Sequence, residues 1–189
     1  MVTRLRITPV PVRRGAMAMV IGPVLIGAAV TVILGVYGRL HEPTFFAVVP
    51  PGFSGPITVK VWLATAAAVF AVVQVASATV MYGRVPIGNT AWAGPVHRWS
   101  GRIAFLLTVP VATHCLYAVG FQVTDTRIMA HSALGCLFYG AFTTKMLVLT
   151  RPGRAGWIMS IVGGLVFMAL IGIVLTSALW YFSTSGVRI

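Results

Sequence analysis

The chain has 189 residues, of which 58% are hydrophobic and 8% are charged. Soluble domains carry about 25% charged residues, so two acidic residues in the whole chain exclude an ordinary water-exposed surface. The net charge of +12 does not indicate nucleic-acid binding, because the basic residues lie almost entirely between apolar segments, where membrane topology uses them. We therefore expect the lipid bilayer, and no nucleic acid, as the partner of this chain.

The apolar residues form five segments long enough to cross about 30 Å of hydrocarbon. This pattern predicts an all-α membrane protein, a bundle of about five transmembrane helices. A basic segment is expected at residues 1–15, the bundle at residues 16–182 and a short outer tail at residues 183–189. The helices are predicted at residues 16–38, 57–81, 97–121, 127–150 and 155–182.

The distribution of basic residues predicts the orientation. With the N-terminus in the cytoplasm, most basic residues lie inside, as the positive-inside rule requires. The inner set is Arg4, Arg6, Arg13, Arg14, Arg84, Arg98, Arg102, Lys145, Arg151 and Arg154, and the outer set is Arg39, Lys60, Arg127 and Arg188. We expect a cytoplasmic N-terminus, an outside C-terminus and, because arginine outnumbers lysine as in GC-rich bacterial genomes, a bacterial plasma membrane.

Two histidines, His114 and His131, lie within predicted helices, where an ionisable side chain is costly and indicates a functional site. Their helices form an antiparallel pair joined by a short turn, which places the imidazoles roughly 12 Å and roughly 8 Å below the same membrane surface. Two histidines at one depth can ligate one haem iron from both sides. We predict one non-covalent haem b with His114 and His131 as its axial metal ligands.

The residues around this pair suit a flat cofactor. Gly135 follows His131 by one helical turn, and its missing side chain would let a ring approach. Arg127, with Lys60 and Arg39, is expected on the outer side, where these cations are available to the carboxylates of a haem. Gly135 and Arg127 are therefore predicted to be cofactor-binding residues.

Other interpretations of the histidines stay open. His114 and His131 can instead be neutral and hydrogen-bonded, or can hold a non-haem metal ion. His97 lies about 100° from His114 around the helix, so the two histidines do not share a face. A second haem, held by His97, would need another ligand, for which Met146 is the only candidate, and it is therefore not expected. His97 is interpreted as an interfacial residue or part of a quinone or proton site, and His41 as a cap on the haem edge or a substitute ligand.

Two segments resemble known families. His97-Arg98-Trp99-Ser100-Gly101-Arg102, followed by an apolar run and His114, resembles the first haem-bearing helix of the transmembrane cytochrome b and ferric reductase superfamily. Residues 97–145 also resemble an uncharacterised family of small actinobacterial membrane proteins, through His131-Ser132-Ala133-Leu134-Gly135-Cys136 and Tyr139-Gly140-Ala141. The first resemblance implies electron transfer. Ligands in that superfamily lie about four turns apart, and His97 departs from this spacing, so the ligand role is carried over to His114 and His131 alone.

We expect a b-type haem cytochrome subunit that relays electrons near the outer face, within a larger membrane redox complex and with quinone as a candidate partner. The chain lacks a nucleotide-binding loop, and Glu42 and Asp125 are its only acids. It is therefore expected to be an electron-transfer subunit rather than a complete enzyme, with no catalytic residue. The alternative is a cofactor-free structural or assembly subunit of a respiratory complex. A small transporter is a third candidate, although no pair of broken helices indicates a midplane site.

Overall fold

The computed structural model describes residues 14–86, 88–151 and 156–189. In these residues the protein is all-helical, and five helices are long and apolar enough to cross a membrane. The predicted class and number of helices are confirmed. The helices are α1 (Arg14–Leu40), α2 (Pro56–Met81), α3 (Ala93–Val119), α4 (Thr126–Leu149) and α5 (Gly156–Ser185).

Parts of the predicted organisation lie outside the described residues. These are residues 1–13, which form most of the expected basic segment, and residues 152–155, which include Arg154. The five described helices fit a multi-pass membrane protein. Each helix satisfies its own backbone hydrogen bonds, which is what hydrocarbon demands of a spanning segment.

The ends of two helices follow from local chemistry. α3 begins at Ala93, four residues before its predicted start, because Pro95 belongs to the first turn, where a missing N–H costs little. α4 begins directly after Asp125, whose carboxylate accepts a hydrogen bond of 2.9 Å from the backbone N–H of Ile128. This N-cap satisfies a donor that the first helical turn would otherwise leave free.

The helices do not all pack against their neighbours in sequence. α3 packs mainly against α2, whereas α4 packs against α1 and α5. α3 and α4 are joined by a short turn, but their backbones lie further apart than those of the packed pairs, and large side chains such as Phe105 and Phe142 bridge the space. The hairpin expected from the sequence is therefore widened rather than closely packed.

α1 and α4 cross at two glycines. A Cβ atom on Gly27 would collide with Thr144 Oγ1 and the Gly140 carbonyl, and a Cβ atom on Gly140 would collide with Thr31 Oγ1 and the Gly27 carbonyl. Each threonine hydroxyl is bonded within its own helix, Thr31 to Gly27 O at 3.1 Å and Thr144 to Gly140 O at 3.0 Å. Small residues let the two backbones approach closely, which is how helices associate in lipid.

The connections on the side where α5 finishes are tied together. We call this side the C-terminal end of the bundle and the opposite side, where α1 begins, the N-terminal end. Thr44 N donates to Tyr117 O at 3.4 Å, and Trp62 Nε1 donates to Arg188 O at 2.9 Å. These bonds join the connection after α1 to α3, and α2 to the last residues of the chain.

Replacing Gly140 by alanine should loosen the α1–α4 crossing. The added methyl group has no room, and overpacking of this kind costs about 1–3 kcal/mol. We expect the thermal unfolding midpoint of the detergent-solubilised protein to fall by several degrees. Gly164→Ala in α5 is the matched control, because a Cβ atom there meets nothing within 4 Å. Equal midpoints for the two variants would contradict the assigned crossing.

Candidate functional site

A cavity lies between α3 and α4, and residues of α5 also line it. Its volume is about 150 Å³, below the roughly 300–1,000 Å³ of typical ligand pockets. Val111 and Cys115 line it from α3, and His131, Gly135 and Cys136 line it from α4. We call this cavity the α3–α4 pocket.

A second cavity adjoins the first on the side of the C-terminal end. Its volume is about 190 Å³, and it lies among α2, α3, α4 and α5. Val111, Cys115 and His131 line both cavities, so the two meet at His131. The second cavity also contains Lys60 and Arg127, and we call it the basic pocket. Together the pockets form an apolar chamber with a cationic end.

His131 is oriented by α5. Its Nδ1 lies 3.2 Å from Thr176 Oγ1, and that hydroxyl donates to Gly172 O at 2.7 Å. Since the single hydroxyl proton of Thr176 is used within α5, the oxygen accepts and His131 Nδ1 carries the proton. The lone pair of neutral His131 is then on Nε2. Metal-ligating histidines are commonly held in this way through their other ring nitrogen.

His114 lies beside the chamber rather than in its wall. It precedes Cys115, which lines both cavities, and neither cavity is lined by His114 itself. Lys60 lies close enough for its charge to act on the ring, and the Phe46 backbone approaches the ring without reaching hydrogen-bond geometry. Both ring nitrogens are enclosed and have no hydrogen-bond partner among the described residues. Enclosing a polar group without a hydrogen-bond partner costs folding free energy. His114 therefore has ring nitrogens that are available to bind a ligand.

Two cations, Lys60 and Arg127, lie at the C-terminal end of the chamber. Arg127 donates from Nη1 to Thr176 O at 2.8 Å, and its Cζ lies 3.8 Å from the centre of the Trp180 ring. Its contact with Asp125, at 4.0 Å, is long. Lys60 lies close enough to His131 for their charges to interact. Arg127 is thus held in place, and Lys60 brings a second positive charge to the same pocket.

Arg39 and His41, which were also expected beside the haem, lie outside the chamber. Arg39 lines a separate crevice beside Phe121. His41 is stacked between Tyr37 and Tyr117, with ring centroids 5.0 Å and 4.9 Å away. Its Nε2 is 3.2 Å from Tyr117 O. In this arrangement His41 neither caps the α3–α4 pocket nor competes for a place in it.

His97 occupies the N-terminal end, far from this chamber. Its Nδ1 lies 3.0 Å from Gln74 O and 3.2 Å from Ser77 Oγ, which ties α3 to α2. Gln74 covers Gly101, where a Cβ atom would collide with the amide. The structure does not bring His97 and His114 together, in agreement with their separate helix faces.

Sequence reasoning missed Thr176 and the irregular turns around it. α3 ends in a π-helical segment, Cys115–Val119, directly after His114, and α5 contains another, Leu175–Leu179, which includes Thr176. π-Helical turns are rare and occur frequently at functional sites. The only signal in the sequence was the polar pair Thr176-Ser177 within a long apolar helix.

The donors beside the chamber are two histidines. In the described ranges no three His, Cys, Asp or Glu side chains cluster, and a haem iron is held by two protein ligands at most. His131 supplies a free Nε2, and His114 supplies two unpartnered nitrogens. At Gly135 a Cβ atom would meet nothing within 4 Å, so the wall is open where a ring would lie.

Comparison with known proteins gives a family but no activity. The sequence model of a family of unknown function, DUF6529, matches residues 19–189. No curated protein and no solved structure matches the chain. The match agrees with the expected resemblance to an uncharacterised family, and the resemblance to transmembrane cytochromes b stays a prediction. Because the match covers nearly the whole sequence, the chain belongs to the family of unknown function DUF6529.

Proposed function

We propose that this protein is a b-type haem subunit that transfers electrons near one face of the membrane. The observation that carries the proposal is the orientation of His131. This residue lines both cavities and is fixed through Nδ1 by Thr176, so the lone pair on Nε2 is free to bind a metal ion. The enclosed and unpartnered nitrogens of His114 support this residue of α3 as the second that would hold the haem iron. One haem b per chain is the proposed content.

Each residue of the chamber has a distinct part in this proposal. His131 and His114 would hold the iron, and Thr176 would keep His131 in the required tautomer. Lys60 and Arg127 would bind the carboxylates of the porphyrin in the basic pocket, since cations form strong hydrogen bonds with such groups. Haem, when bound, supplies one-electron oxidation and reduction. The apolar wall of the α3–α4 pocket would exclude water from the ring.

The proposed setting is the plasma membrane of a bacterium. We infer that the N-terminal end of the bundle faces the cytoplasm, because most arginines and lysines within the described ranges lie at that end. The chamber then lies in the outer half of the bilayer. A single haem there does not reach the inner surface, so electrons would come from quinone or from another subunit of a redox complex.

Reduced-minus-oxidised absorbance spectra test the haem ligands. We expect the purified wild-type protein to show a sharp α-band, and both His114→Ala and His131→Ala to lose it, because each removes one axial nitrogen. His41→Ala is the matched control, since His41 is engaged by two tyrosines and Tyr117 O. It should keep the band.

A featureless spectrum from protein expressed with ample haem would contradict the proposal. A cofactor-free structural or assembly subunit would then be the better assignment, because the His131–Thr176 bond can also serve to hold α4 against α5. Loss of the band in His41→Ala but not in His114→Ala would transfer the ligand role on α3 to the connection after α1.

Thr176→Val tests whether Thr176 positions His131. The change keeps the side-chain volume but removes the acceptor for His131 Nδ1–H. We expect haem to be lost to an acceptor apoprotein about 10–100-fold faster, the usual effect of removing such a partner. Thr143→Val is the control, because the Thr143 hydroxyl bonds to Tyr139 O of its own helix. Equal rates of haem loss in the two variants would refute a positioning role.

A further inference from the structure

The N-terminal end of the bundle holds an intramembrane cation of its own, Lys145 of α4. Lys145 lies four residues before Leu149, the last residue of α4, or about 6 Å from the helix end. It is partly buried and has no hydrogen-bond or carboxylate partner among the described residues. His97 of α3 is close enough for their charges to interact. An intramembrane charge without a partner indicates a function by default.

This position is separate from the α3–α4 pocket. Between the two, Phe105 and Phe142 stack with ring centroids 4.0 Å apart. One helical turn further on, Tyr139 Oη donates to Thr108 Oγ1 at 3.0 Å. These contacts join α3 to α4 across the gap. Lys145 is therefore not part of the proposed haem chamber.

Arginines extend the positive charge along α3 at this end. Arg98 is exposed and lies within about 40° of Ala112 around the helix, on the face that lines the gap towards α4. Its guanidinium folds back along the first turn, 3.6 Å from the Cβ position of Gly94. Arg102 is also exposed, with its Cζ 5.2 Å from the centre of the Trp99 ring.

No acid of this chain can neutralise these cations. Glu42 and Asp125 are the only acids in the sequence, and both lie in connections at the C-terminal end. Any anion that balances Lys145 must therefore come from outside the chain. The lysine stem is long enough to carry its ammonium from the apolar region to the level of the headgroups.

We propose that Lys145 and Arg98 bind the phosphate of an anionic phospholipid at the N-terminal end of the α3–α4 gap. Basic positions between transmembrane helices recognise anionic headgroups in this way. The location at the edge of the apolar region favours a lipid over a soluble anion, because the acyl chains can remain in the bilayer beside α3 and α4. This proposal does not depend on haem binding.

The presence of two lysines, Lys60 and Lys145, makes a direct test possible. Reductive methylation with ¹³C labels each lysine and keeps its charge, and Lys60→Met and Lys145→Met assign the two NMR signals. The full-length protein in a zwitterionic detergent is titrated with phosphatidylglycerol, phosphatidylcholine or inorganic phosphate. We expect saturable movement of the Lys145 signal with phosphatidylglycerol alone, and no movement of the Lys60 signal.

Arg98→Gln should weaken this binding about fivefold, the contribution of one basic residue near an anionic lipid surface. Arg188→Gln removes an exposed arginine at the opposite end and should leave the affinity unchanged. Equal movement with phosphatidylcholine, or movement with inorganic phosphate at the same concentration, would overturn the assignment to an anionic lipid. An unmoved Lys145 signal would also overturn it and leave an acidic protein surface as the occupant.

Discussion

The close approach of α1 and α4 at Gly27 and Gly140 determines how the remaining helices can be arranged. The two backbones approach so closely there that a Cβ atom on either glycine would collide with the other helix. One side of α4 is committed to α1, and α5 covers another. α3, whose His97 bonds to α2, is left facing α4 across a gap that side chains such as Phe105 bridge. The chamber that we assign to haem exists because these two sets of contacts hold α3 and α4 apart.

The polar groups of the bundle divide between its two ends. At the C-terminal end, His131 is fixed by Thr176 of α5 and lies beside Lys60 and Arg127. At the N-terminal end, His97 is fixed by α2 and lies near Lys145. Each histidine is held through Nδ1 by a neighbouring helix, and His131 also lines the two cavities of the chamber. A hydrogen bond from Nδ1 thus orients a proposed metal ligand at one end of the bundle and joins two helices at the other.

Much of the fold follows from the sequence, because segment length and apolarity alone determine how many helices cross a bilayer. Arg127, His131 and Gly135 recur every four residues, so their common face on α4 was also predictable. The setting of His114 was not, because it depends on the rotation of α3 against α2 and on the π-helical turn that follows. Thr176 was missed because a threonine within an apolar helix commonly bonds only to its own backbone.

The electron paramagnetic resonance spectrum of the oxidised protein tests the central proposal most directly, because it reports the ligands on both sides of the iron. We expect the wild-type protein to show only low-spin ferric haem with two imidazole ligands. We expect His131→Ala and His114→Ala each to show high-spin iron or no haem. A high-spin signal in the wild-type protein, or an unchanged low-spin signal in either variant, would contradict the assignment of the chamber to a haem held between α3 and α4.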